Sequence, residues 1–212
     1  MSAARQLSLV VESIEDYIFH IMDLTDLGKA LTYKLELPGG QSRLREAALY
    51  IMGAGRDFEY FGLIKLNKML WRADFRSFHE RRFPITGRSY QKLEHGPAPV
   101  EMKPVLRELE NLGRIKYADS GVPNEKRPVP LVDVKISNLS PRDLEFLDEA
   151  ISYYRDLTAT ATSKESHGVA WRSRKMGELI PYETAIFDDR PLSQSLEHKL
   201  MWLGRERGWH SH

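Results

Sequence analysis

The sequence predicts a predominantly helical α+β protein, a single domain that carries a small antiparallel β-hairpin. Apolar residues recur at spacings of three and four through most of the chain, which is the period of an amphipathic helix. Two short segments alternate instead around a loop that contains Gly and Pro, as the strands of a hairpin do. With 212 residues, 42% of them apolar, the chain can bury one substantial core.

The N-terminal segment predicts an amphipathic helix that ends near Gly28. Its apolar positions are Val10, Val11, Ile14, Tyr17, Ile18, Ile21 and Met22. Residues 30–37 alternate loosely and fit a short strand, an extended arm or a continuation of the helix. Ser42 can cap a second helix, which is expected to end at the glycines of residues 53–55.

The longest predicted helix, residues 61–80, is expected to be central. Its apolar stripe consists of Leu63, Leu66, Leu70, Ala73 and Phe78. The cations Lys65, Lys68 and Arg72 lie around its other side. Their spacing fits contact with phosphates or an acidic protein, but a solvated face is the favoured interpretation.

Asp74 stands on the apolar side of the same helix, where a carboxylate needs a partner. Arg81 or Arg88 can supply one after the chain turns. Backbone amides of the following turns are an equal alternative, and either pairing would be structural.

Several shorter elements follow. Residues 90–94 predict a strand or an extended connection, and Pro97 and Pro99 precede a helix over residues 100–112 that tolerates Pro104 only in its first turn. Residues 114–117 and 130–136 alternate and predict the β-hairpin. Its connecting loop carries Lys126 and Arg127.

The C-terminal third begins with a strong helix signal: Ser140 at the N-cap, Pro141 at the first position and Asp143 facing the positive end of the dipole. This helix should continue to Leu157. Residues 158–162 are interpreted as a connection, followed by a short helix that Ser163 caps and that runs through residue 171. Residues 180–182 break the chain again, and a last helix is expected at residues 193–205.

Composition excludes several classes of protein. Thirty-one basic and 30 acidic residues give a net charge of +1, so the overall balance does not call for a polyanionic partner. The absence of cysteine removes disulfides, thiolate metal sites and cysteine nucleophiles, and fits a reducing compartment. Acidic residues interrupt the first apolar run well short of a signal or membrane segment. A cytoplasmic protein without membrane association is expected.

The chain carries no established catalytic, phosphate-binding or dinucleotide-binding motif. The histidines lack the paired spacing of a zinc site, so neither a metal nor a cofactor is predicted. An enzyme would need His95, Tyr90 and Asp74 to converge in one pocket. A helix followed by a hairpin is also the order of a winged-helix DNA-binding module, in which Lys126 and Arg127 would lie on the wing. The acidic end of that helix argues against this role.

The turns around residues 84–99 are explained by turn chemistry, because glycine permits a positive φ and proline pre-sets φ. Turns held rigidly by packing also place groups well for recognition of another protein. The side chains proposed for partner contact are Lys65, Lys68, Arg72, Arg88, Tyr90 and His95.

Four motifs in a fixed order resemble the Panacea-domain family, the SocA-like antitoxin domain of bacterial and phage toxin–antitoxin systems. They are Lys65-Leu66-Asn67-Lys68-Met69-Leu70-Trp71-Arg72-Ala73-Asp74-Phe75, Pro84-Ile85-Thr86-Gly87-Arg88-Ser89-Tyr90, His95-Gly96-Pro97-Ala98-Pro99, and Leu109-x-x-Leu112-Gly113-x-Ile115. Ser166-His167 with Trp171, and Ile180-Pro181-Tyr182, resemble its C-terminal signature. The resemblance covers residues 58–185 and gives a structural role to Asp74, Gly87, Gly96, Pro97, His167, Trp171 and Pro181.

This resemblance implies a non-enzymatic antitoxin that neutralises a cognate protein toxin by direct binding, without a cofactor. Some members are similar to adaptors that deliver a toxin to a protease, and operator DNA is the alternative partner. The implied organisation is an N-terminal helical extension at residues 1–57, a core at 58–187, and a C-terminal helix and tail at 188–212. The extension is the natural place for toxin specificity.

Overall fold

The computed structural model describes residues 40–120 and 125–185, together with residues 195, 198, 199 and 202. All of these residues fall in the compact unit Lys34–His212. The helix predicted to end near Gly28 and the arm at residues 30–37 lie outside the described residues, as does most of the predicted last helix. The predicted fold class is confirmed: helices dominate, and the strands form small antiparallel sheets.

Two helices organise the first half of the described chain. Helix α1 spans Gly40–Ala54 and helix α2 spans Leu63–Arg81, joined by a short 3-10 helix at Gly55–Asp57. Helix α2 is central, as predicted, because the neighbouring helices and the first sheet all pack against it. None of the described helices combines the length and apolar composition that crossing a bilayer requires.

The first sheet has three antiparallel strands in the order β2-β1-β5: β1 Tyr90–Leu93, β2 Gly96–Pro99 and β5 Leu179–Ile180. Tyr90 pairs with Pro99 on one side and with Ile180 on the other. The interpretation of residues 96–99 as a turn before a helix is wrong, because they form a strand. Proline is tolerated there because β2 lies at the edge of the sheet, where an outward-pointing nitrogen costs no ladder hydrogen bond.

Helix α3, Met102–Asn111, leads into a second hairpin of β3, Ile115–Asp119, and β4, Lys126–Pro130. Pro104 falls in the first turn of α3, as predicted. The second strand was expected at residues 130–136 and lies earlier, with Ile115 opposite Pro130 and Asp119 opposite Lys126. The alternation after residue 130 reflects half-burial without strand pairing, since Val134 and Ile136 pack partly against the core.

Helix α4, Pro141–Tyr154, begins with the predicted cap: Ser140 and Asp143 form a reciprocal capping box. Residues 158–162 were wrongly interpreted as a connection. Thr158 caps helix α5, Ala159–Glu165, and the separate helix α6 spans Val169–Arg172. The hydroxyl of Thr158 accepts a hydrogen bond from the amide of Ala161, so a threonine five residues before the expected cap, Ser163, caps the helix. A 3-10 helix at Tyr182–Thr184 follows β5.

The described residues bury two apolar clusters. The larger gathers side chains from α1 to α4, including Leu44, Ile51, Leu66, Val105 and Leu147. The smaller is mostly aromatic and consists of Trp71, Phe75, Phe78, Tyr90, Ala170, Ile180, Tyr182 and Ala185. Helix α2 supplies residues to both clusters. Helix α1, which the sequence places in the N-terminal extension, therefore packs into the main core, while the domain division at residues 57 and 187 stays a prediction.

Candidate functional site

The Asp74 carboxylate is fully buried, and its hydrogen-bond donors among the described residues are all uncharged. Thr86 donates its backbone amide to Oδ1 at 2.7 Å and its hydroxyl to Oδ2, and the Tyr90 hydroxyl donates to Oδ2 at 2.8 Å. Tyr182 lies at 3.4 Å from Oδ2 and donates to the Arg88 carbonyl at 2.7 Å. Of the two predicted pairings, the backbone amide is the right one.

The two arginines proposed for Asp74 pair elsewhere. Arg81 bonds to Asp143, and Arg88 reaches Glu101 at 3.4 Å. Burial raises the pKa of the Asp74 carboxyl, against the opposing effect of its hydrogen bonds. Without a cation the network serves to join α2 to the turn at residues 84–87, to β1 and to the segment after β5.

Lys68 joins the same helix to the outer edge of the sheet. Its side chain is 2% exposed and its Nζ donates to the Pro97 carbonyl at 2.7 Å. Burial lowers the pKa of Lys68 to about 7. Lys65 is also buried, donates to the Arg155 carbonyl at 3.0 Å, and has a pKa that burial lowers to about 8. The interpretation of these lysines as a solvated face is wrong, because α2 is covered on several sides.

Gly96 is required where Lys68 passes under the hairpin. Its φ is +100°, a backbone conformation that residues with a Cβ rarely adopt. A Cβ at this position would lie 2.4 Å from Ser166 Oγ and 2.7 Å from Lys68 Nζ. The glycine of the His-Gly-Pro motif therefore makes room for a buried lysine and for the serine of the Ser-His motif.

Hydrogen bonds to backbone carbonyls connect the motif hairpin, residues 90–99, to the C-terminal segment. Trp171 Nε1 donates to the Leu93 carbonyl at 2.9 Å, and Ser163 Oγ donates to the His95 carbonyl at 3.1 Å. In the opposite direction, Lys92 Nζ donates to the Arg174 carbonyl at 2.7 Å. These bonds hold the hairpin rigidly while its tip, Glu94 and His95, stays exposed.

His167 stacks face to face on Trp171, with ring centroids 3.8 Å apart, and Lys92 Nζ lies 3.9 Å from the Trp171 ring. Burial lowers the pKa of His167, and the positive charges of Lys68 and Lys92 lower it further. A neutral imidazole therefore fits this position. Among the described residues, no three His, Asp or Glu side chains gather as metal ligands do.

The family model for "Antitoxin SocA-like, Panacea domain" matches residues 66–172, half of the chain. The protein belongs to this family. No curated protein and no solved structure matches the chain significantly. The matched range of the Panacea-domain protein holds Lys68, Asp74, Gly96 and Trp171. Tyr182, which completes the Asp74 network, lies beyond its end.

The side chains proposed for partner contact in this Panacea-domain protein lie in different surroundings. Tyr90 is 1% exposed and belongs to the Asp74 network. Lys65 and Lys68 are also buried in the interior. Arg72 pairs with Glu149 at 2.9 Å and stacks on Tyr153 at 3.6 Å. Tyr90 and Asp74 are buried together while His95 is exposed at the hairpin tip, so these three do not share a pocket.

Sequence reasoning missed several residues that complete the site. From the sequence, Thr86 and Tyr182 were named only as members of motifs and turns, and Ser163 only as a helix cap. Each of them carries a hydroxyl group, which by itself does not indicate a role. The role is recognised only when the Asp74 carboxylate and the hairpin carbonyls are known to need hydrogen-bond donors. The Pro181 carbonyl accepts the amide of Thr184 at 3.1 Å. The structural role of Pro181 stays a prediction.

In the second hairpin of the Panacea-domain protein, too, a side chain donates hydrogen bonds to backbone carbonyls of a distant segment. Arg127 lies in β4 and donates to the carbonyls of Phe58 and Phe61, the latter at 3.2 Å. Lys126 lies 5.7 Å from the Tyr117 ring. Arg127 therefore holds the chain between α1 and α2, and its side chain is not directed outward as a wing residue that contacts DNA would be.

Proposed function

We propose that this protein is an antitoxin that binds a protein toxin encoded beside it and neutralises the toxin by that contact. The family match carries the proposal, because it covers the residues that build the motif scaffold. Membership of an antitoxin family supports the proposal of a regulatory role without catalysis. The contact is proposed to occur in the cytoplasm, where both products would be made.

The toxin-binding surface is proposed to lie outside the buried face of α2. Eleven of the 19 residues of this helix are buried, including both lysines proposed for contact. Exposed groups on the rigid hairpin tip, above all His95, are better placed. The segment of residues 1–57 is proposed to supply specificity for one toxin, since a shared scaffold cannot by itself discriminate among partners.

Co-expression tests the function. Each open reading frame next to this gene is induced alone and together with this protein, and growth is measured. One neighbour is expected to stop growth alone and to permit growth in the pair. The proposal is wrong if no neighbour is toxic, or if the toxic neighbour still stops growth when this protein is present at comparable amounts.

A further inference from the structure

The outer side of α3 carries cations that lack an acidic partner. Lys103 and Arg107 are exposed, one turn apart, and neither is in an ion pair with a carboxylate of the described residues. The arginines of α1, α2 and α4, by contrast, pair with carboxylates: Arg43, Arg45, Arg72, Arg76, Arg81 and Arg142.

These cations border a shallow groove along the helix. Its lining consists of Lys103, Pro104, Arg107, Glu108, Asn111 and Leu112. Glu108 is neutralised by Arg45 of α1, which leaves the groove with a positive charge. A basic surface of this kind attracts an anionic partner at long range and weakens in high salt.

The groove also exposes apolar surface at one end. Leu112 is 62% exposed, the largest fraction among the large hydrophobic side chains of the described residues. Leu131 is 51% exposed and its backbone amide donates to the carbonyl of Arg114, so a second leucine and an exposed arginine lie close by. An exposed leucine beside two cations offers apolar contact and positive charge in one place, which an acidic amphipathic segment would match.

We propose that this groove, defined by Lys103, Arg107 and Leu112, docks an acidic amphipathic segment of the toxin. The inference rests on the proposed function and names the chemistry of the partner. The leucine would bury apolar residues of that segment, while Lys103 and Arg107 would face its carboxylates. Nucleic acid is the less suitable occupant, because phosphates gain nothing from Leu112 and Pro104, and Arg127 of the adjacent hairpin is engaged internally.

The test uses the full-length protein and the purified toxin identified by co-expression, with titration calorimetry at 50 and 300 mM salt. Lys103→Glu/Arg107→Glu is expected to weaken binding at least about tenfold at low salt and to flatten the salt dependence. Leu112→Ala is expected to weaken binding about threefold or more without changing that dependence. Thermal melts confirm that these exposed substitutions leave the fold intact.

Lys135→Glu/Lys175→Glu is the matched control, since it changes charge equally at two exposed lysines elsewhere. It should bind like the wild type. The inference is overturned if the groove variants bind the toxin as tightly as the control, a result that leaves the antitoxin function standing. It is also overturned if those variants lose affinity for a promoter duplex and keep full affinity for the toxin. Failure of the wild type to bind or neutralise any neighbour's product would instead reject the function itself.

Discussion

Lys68 shows most clearly what a single residue contributes to this fold. Its amine is buried beneath the hairpin and holds the Pro97 carbonyl. The sequence placed it on a solvated face, because an amphipathic pattern assumes one buried side. Helix α2 is covered by α1, α4, α5 and β2, and such a covering depends on tertiary packing that the helical period does not record.

The lowered pKa of Lys68 predicts a pH dependence of stability. Burial lowers the pKa of Lys68 from the usual 10.5 to about 7. Between pH 7 and 10.5, therefore, Lys68 is protonated in the unfolded state and neutral in the folded state. Stability should therefore rise with pH from about 7 to 9.5, by up to about 1.4 kcal/mol per pH unit from this group. Lys68→Met should remove this group's share of the rise and leave the share that Lys65, with a pKa of about 8, contributes above that pH. Urea denaturation of both proteins across this range measures the difference, and parallel curves would contradict the assignment.

Gly96 and Gly113 offer a matched pair of glycines with positive φ. A Cβ at Gly96 would collide with Ser166 and Lys68, whereas one at Gly113 would meet nothing within 4 Å. Gly113→Ala should cost about 1 kcal/mol of unfolding free energy from backbone strain alone. Gly96→Ala should cost at least about 1 kcal/mol more. Denaturant midpoints measure both, and equal losses would show that the hairpin relaxes around the added methyl group.

At the scale of elements, the motif hairpin is the part that the sequence described least well. Its first strand was expected, but the second was hidden by Pro97 and Pro99, which are tolerated because β2 is an edge strand. The helix start at Ser140 was predicted correctly, since a capping box is a local signal. Side-chain bonds to the hairpin carbonyls join segments about 70–80 residues apart and leave no local pattern.

Trp171 is predicted to hold the hairpin in place through its indole nitrogen. Trp171→Phe keeps an aromatic ring for His167 and removes the hydrogen bond to the Leu93 carbonyl. The loss should be about 1 kcal/mol of stability, with faster amide hydrogen exchange at the hairpin. Trp202→Phe serves as the control because Trp202 is 58% exposed. Unchanged exchange in Trp171→Phe would show that packing alone holds the hairpin.

At the scale of the whole molecule, the family motifs build two interior networks. One network centres on Asp74 and the other on Lys68, and both connect the central helix to the first sheet. The sequence predicted the fold class and the family correctly because motif order and hydrophobic periodicity can be recognised without a structure. It could not separate the scaffold from the contact surface, since exposure depends on how distant elements pack.

The central claim is neutralisation by direct protein contact, and a purified complex tests it most directly. The neighbouring toxin and this protein are expressed together, purified through a tag on the toxin alone, and analysed by size exclusion with light scattering. The account predicts a stable complex of fixed stoichiometry in which the toxin is inactive, with toxin activity restored once the antitoxin is removed. Cells that survive co-expression while the two proteins elute apart would contradict it.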